Sequence, residues 1–158
     1  MQKVRIRTLR NKRKICKGVG GQRRLDFIVK YGSKRVCGQK LTREETEYMP
    51  TISFNPIPSK MYTLAIYDIN SPQPAFLHAL IPNITDPVML HPVVPYVHPA
   101  PPPHDNHYHA YIIELLEQPG LLTMSPRTCA RFDIGAFTKT YGLRRLAATG
   151  FYIDPRAA

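Results

Sequence analysis

The sequence predicts a mainly β fold with few helices, entered through an extended basic arm. Three observations carry that expectation. Short apolar runs rich in β-branched and aromatic side chains recur between turn signals, as the strands of a sheet do. The 16 prolines outnumber the 9 glycines, which favours rigid extended connections over helices. Ten of the 22 basic residues fall in the first 24 positions with no Asp or Glu among them, a segment that repels itself and cannot bury enough apolar surface to fold alone.

The elements follow in order. Residues 1–24 form the arm, and Gly18-Val19-Gly20-Gly21 reads as a hinge. Leu25 to Tyr31 alternates enough for a first strand and Thr51 to Phe54 for a second. Met61 to Tyr67 is a short apolar run bounded by Pro56, Pro58 and Pro72, the pattern of a central strand. Phe76 to Ile84 and Tyr108 to Leu116 follow the same logic. By propensity alone Tyr111 to Gln118 suits a helix equally, but the alternation of His107, His109 and Tyr111 at its start favours a strand. Residues 86–103 carry seven prolines in 18 positions and are expected to run as a polyproline-like surface loop. Asp133 is placed to cap a short helix to Tyr141, ended by Gly142, and Leu146 to Ile153 returns as a last strand. The 158 residues suit one domain, residues 25–158, behind the arm.

The formal charge of +11 belongs to the arm, because the rest of the chain holds twelve basic against eleven acidic residues. Lys3, Arg5, Arg7, Arg10, Lys12, Arg13, Lys14, Lys17, Arg23 and Arg24 are the footprint of a nucleic-acid backbone contact. An anionic membrane competes for such a segment, but only Val4, Ile6, Leu9 and Ile15 are scattered among the charges, and no apolar face accompanies them. No run approaches the ~18 apolar residues of a membrane span. The arm resembles a mitochondrial transit peptide in being Arg-rich and acid-free, though it lacks Ser. Cys16, Cys37 and Cys129 are odd in number and widely spaced, indicating neither a disulfide framework nor a zinc knuckle.

In the body, Asp68, His78, His109 and Tyr111 sit near the ends of apolar strands. Gathered in one sheet, the carboxylate would orient the imidazoles and favour their protonated forms, leaving N–H donors free for a phosphate or carboxylate oxygen. The plainer reading makes each a separately satisfied residue at a sheet edge. His104-Asp105-Asn106-His107-Tyr108-His109 offers metal ligands at close spacing, but structural zinc takes four fixed ligands and no Cys lies nearby. No metal and no cofactor are therefore expected. Nor is catalysis: Ser71, the one hydroxyl close behind Asp68, lacks a nucleophile elbow, and the glycines of the hinge lack the Lys-Ser/Thr of a phosphate loop.

Pro50-Thr51-Ile52-Ser53-Phe54, then Met61 to Pro72, resembles the phosphatidylethanolamine-binding protein (PEBP) family, whose pattern there is YTLxxxDPDxP. Leu77 to Ile84 resembles the family's next strand. Tyr96 to Pro102, with His109-Ala110-Tyr111, resembles its GxPPxGxHRY segment, and Arg131-Phe132 through Phe151 its closing helix and strand. The resemblance implies a central antiparallel sheet packed by a smaller one and a small anion pocket. Carried over by position, Asp68, His78, His109 and Tyr111 line that pocket, with Ala100, Pro101 and Pro102 as its wall. The departures are Ile69 for Pro, Asn70 for the second Asp, Phe76 for Trp, Ala100 for Gly and Ala110 for Arg.

A pocket so altered, behind a polyanion-binding arm, resembles the branch of the family built into the large subunit of mitochondrial ribosomes. The function expected is a structural, non-enzymatic one, with ribosomal RNA and ribosomal proteins as partners in the mitochondrion. The alternative is a free, cytoplasmic regulatory module holding a phosphorylated small ligand in the Asp68, His78 and His109 pocket.

Overall fold

A computed structural model describes residues 25–71, 75–125 and 129–156. The arm, with its ten basic candidates from Lys3 to Arg24, and the glycine hinge lie outside them. Seven strands and one α-helix make up the described body: β1 (Ile28–Tyr31), β2 (Lys34–Arg35), β3 (Thr51–Ser53), β4 (Met61–Asp68), β5 (Phe76–Ile84), β6 (His109–Gln118), α1 (Ile134–Tyr141) and β7 (Arg144–Ile153). They form a small sheet ordered β2-β1-β3 and a large one ordered β5-β4-β6-β7. All pairings within both are antiparallel.

The near-continuous apolar runs of β4, β5 and β6 arise because the large sheet is covered on both faces. Leu64, Ile66, Ile81, Tyr111, Ile113 and Phe151 pack toward Val29, Tyr31 and Ile52 of the small sheet. Alternate residues, among them Tyr67, Leu77, Leu80 and Ile112, meet Val94 of the Pro-rich loop and Phe132 and Phe137 around α1. Period two thus splits a single run into two cores. Two-sided burial also decides Tyr111 to Gln118: β6 pairs with β4 on one edge and β7 on the other, and a helix there would leave both ladders unpaired.

Pro82 is tolerated inside β5 because that strand is at the sheet edge, beside a register slip between Tyr62 and Leu64. The Asp133 carboxylate accepts from the Ala136 N–H at 3.1 Å and Gly142 closes the helix in the left-handed region (φ 64°), the cap and stop read from the sequence. The two-residue strand β2, turned by Gly32 at φ 59°, was too short to leave a periodic signal. Cys129 is a half-buried free thiol. No helix among the described residues is long and apolar enough to cross a membrane.

The Pro-rich segment is structured through a few polar anchors. Val94 N–H donates to Leu80 O at 3.2 Å and Val97 N–H to His78 O at 2.8 Å, so the loop runs along the free edge of β5. Tyr96 hydroxyl donates to Thr46 O at 2.6 Å and in turn accepts from the Tyr31 hydroxyl at 2.9 Å, tying the loop to the small sheet.

Candidate functional site

Antiparallel pairing brings Asp68 and Tyr111 to one end of the large sheet. Asp68 ends β4, opposite Tyr111 near the start of β6 and opposite Phe76 at the start of β5. The ladder passes from Ile66↔Ala79 to Tyr67↔Leu77, which leaves His78 as the extra residue of a β-bulge. A bulge re-aims its side chain, and here it turns the imidazole toward the same end of the sheet. The resulting cavity of about 260 Å³ is lined by Asp68, Ser71, Phe76, His78, Val97, His98, Ala100, Pro101, Pro102, His109 and Tyr111. All seven residues assigned to the pocket from the sequence are among them.

Its electrostatics differ from the expectation of free N–H donors. His78 Nδ1 lies 2.6 Å from the Val97 carbonyl oxygen, which only accepts, so Nδ1 carries the hydrogen. Burial depresses the His78 pKa, and the bond to Val97 and the charge of Asp68 do not compensate. The ring is therefore neutral at pH 7, and its Nε2 offers a lone pair rather than a donor. His109 is the opposite case. Its burial alone would lower the pKa, but the hydrogen bonds and charges of Asp68 and Asp105 outweigh that and raise it. Nδ1 donates to Asp68 Oδ2 at 2.7 Å and Nε2 to Asp105 Oδ2 at 2.8 Å. Both hydrogens of the imidazolium are consumed inside the protein.

Asp68 is 5% exposed, and its other oxygen accepts from Asn70 N–H at 2.7 Å. The Asn70 side chain then accepts from Ala110 N–H at 2.8 Å. Asn70 and Ala110, both departures from the family pattern, thus join in one bond that fixes the start of β6. Tyr111 stacks on Phe151 with ring centroids 5.1 Å apart and meets His78 edge-on at 5.3 Å; burial, then the Asp68 charge, push its hydroxyl pKa up.

Asp105 is the residue that the pocket assignment missed. It sits four positions before His109, a spacing that in an extended chain would put the two far apart. A bend at His107, between the two, folds it back onto the ring, and Asp105 N–H donating to Pro102 O at 3.0 Å anchors it to the Pro-rich wall. Arg43 was also missed: its guanidinium donates to Pro101 O at 2.6 Å and Pro155 O at 3.2 Å, bracing the Pro-rich wall from behind. No local pattern marks Arg43, since its partners are backbone atoms 58 and 112 residues away.

The family model described as "Phosphatidylethanolamine-binding protein" matches residues 22–152 of the chain. A carboxypeptidase Y inhibitor, solved in complex with its cognate proteinase, superposes with a TM-score of 0.71 at 18% identity, over 81% of this chain and 82% of that one. A phosphatidylethanolamine-binding protein from Plasmodium falciparum does so with a TM-score of 0.56 at 15% identity, over 82% and 85%. No curated protein matches the chain by sequence.

Proposed function

Because the chain belongs to the phosphatidylethanolamine-binding protein family, we propose that it uses the family's β body as a docking module and its basic arm as a grip on RNA. It is on this reading a non-enzymatic component of a large ribonucleoprotein, the mitochondrial large ribosomal subunit in particular. The arm contacts ribosomal RNA, and the body contacts ribosomal proteins.

The observation that carries this reading is the segregation of charge. Ten cations without an anion stand ahead of a nearly neutral body, a distribution suited to backbone phosphates at one end and protein contacts at the other. The pocket adds support, because an imidazole closed by two carboxylates and a second one held neutral present no N–H to an anion. That weakens the alternative of a free module for phosphorylated ligands. The carboxypeptidase Y inhibitor gives the fold a precedent for docking on another protein.

The test is removal of residues 1–24. The full chain is expected to sediment with mitochondrial large-subunit particles and to crosslink to their RNA, with affinity for RNA falling by about 0.7 log units per log unit of salt for each phosphate neutralised on single strands. The shortened chain is expected to keep its circular dichroism and lose both associations. Undiminished sedimentation of the shortened chain, or a full chain indifferent to RNA at moderate salt, overturns the reading.

A further inference from the structure

The contact that keeps His109 from serving an anion is suited to a cation. Asp105, His107 and His109 each offer one ligand atom, and these atoms all lie within 4.8 Å of one another. His109 Nε2 and Asp105 Oδ2 are 2.8 Å apart. Two atoms bound to one metal at about 2.0–2.2 Å are separated by roughly 2.8–3.5 Å, depending on the angle between them. A metal can thus take the place of the hydrogen between them with a shift of a few tenths of an ångström. His107 is exposed and its ring stacks on that of His109, 12° from parallel with centroids 5.2 Å apart; with its nitrogen already within 4.8 Å of the other two ligand atoms, a side-chain rotation brings it in.

The groups behind these ligands fit as well. His109 Nδ1 donates to Asp68, leaving Nε2 as the ligating nitrogen and strengthening it as a donor of electrons; carboxylates behind metal-bound histidines do this generally. Asp68 is in turn held by the Asn70 N–H, so the ring cannot swing away. His104, with Nε2 3.8 Å from the other oxygen of Asp105, stands within reach as a fourth ligand. Two or three imidazoles with one carboxylate and no thiolate select a borderline transition metal over calcium or magnesium.

We propose that Asp105, His107 and His109 bind one divalent transition-metal ion, of which zinc is the biological representative, with Asp68 orienting His109, and that the ion clamps the loop before β6 onto the sheet. The proposal departs from the expectation of no metal, which rested on the lack of four fixed nitrogen or sulfur ligands and of a nearby Cys; the bend at His107 places the Asp105 carboxylate against His109. It does not depend on what the arm binds.

The test uses the full chain, stripped with a chelator and titrated with Co²⁺ alone and with Zn²⁺ against a chromophoric chelator. One saturable equivalent is expected, giving visible Co²⁺ absorption that Zn²⁺ abolishes. His107→Ala, at an exposed position that does not threaten folding, is expected to weaken binding at least tenfold, and His91→Ala to leave it unchanged. Asp68→Asn is expected to weaken it by about 10- to 100-fold without changing the stoichiometry. Absence of saturable binding, a cobalt–thiolate charge-transfer band, or affinity unmoved by His107→Ala overturns the proposal.

Discussion

Asp105 and Asp68 hold the two nitrogens of His109 from opposite sides, at 2.8 and 2.7 Å. Asp68 already balances the imidazolium charge; the second carboxylate takes up the N–H that the ring would otherwise offer to an anion. Asp105→Ala is therefore expected to release the Nε2–H and to create phosphate binding. One charge-assisted hydrogen bond contributes about 1.5–3 kcal/mol, so affinity for inorganic phosphate, measured calorimetrically with chelator present, is expected to rise by roughly 10- to 150-fold over the parent. Equal affinities in the two proteins would show that Asp105 does not close the site.

His78 sets a pH dependence of definite sign. Its folded pKa lies below the reference value of 6.5, chiefly through burial, so below that pH the unfolded chain binds more protons than the folded one. The His78 contribution to stability is complete above about pH 6.5 and is lost as pH falls through the window down to its folded pKa. Urea midpoints between pH 7.5 and 5 are expected to fall more steeply for the parent than for His78→Asn, which cannot titrate there. Parallel curves would contradict the assignment.

Glu114 is 1% exposed and accepts from the Tyr67 hydroxyl and Arg145 Nη2, both at 2.8 Å, and from Arg145 Nε. Arg145→Ala strands a buried carboxylate. The expected loss is about 2–3 kcal/mol, at the low end for a buried pair because the Arg145 side chain is half exposed and Tyr67 remains as a donor. Glu114→Gln combined with Arg145→Met removes the charge together with its partner and is expected to recover much of that loss. Denaturant unfolding of the three proteins distinguishes the cases.

Gly150 lies where β7 runs close to β6. A Cβ at this position would stand 2.7 Å from the Tyr111 carbonyl oxygen and 3.3 Å from Ile112 Cδ1, and backbone cannot step aside as a flexible side chain can. Gly150→Ala is expected to cost about 1–3 kcal/mol. It should also shift the Tyr111 ring resonances, because the displaced carbonyl belongs to the residue that stacks in the pocket. A neutral substitution would mean that the two strands separate at little cost.

Most elements were legible in the sequence for local reasons. The Asp133 cap and the Gly142 stop are made by side chains and dihedrals within one helix, and β4 and β5 announce themselves by apolar runs between prolines. The helix-or-strand ambiguity at Tyr111 to Gln118 was not local: both faces of β6 are buried, so periodicity carried no distinction. Asp68, His78, His109 and Tyr111 were found through strand-end positions and a family pattern. Asp105 and Arg43 escaped because one is placed by a bend and the other by distant carbonyls.

By itself the sequence determined the β-rich class, the family and the separation of charge between arm and body, and it marked seven of the eleven residues that line the cavity. All of these depend on composition or on neighbours along the chain. The state of the cavity was decided only by tertiary structure. Whether an imidazole gives its hydrogens to a ligand or to the protein depends on which acceptors stand within 3 Å. At this site those acceptors are the Val97 carbonyl and the Asp105 carboxylate, brought in by loop turns that leave no periodic trace in the chain.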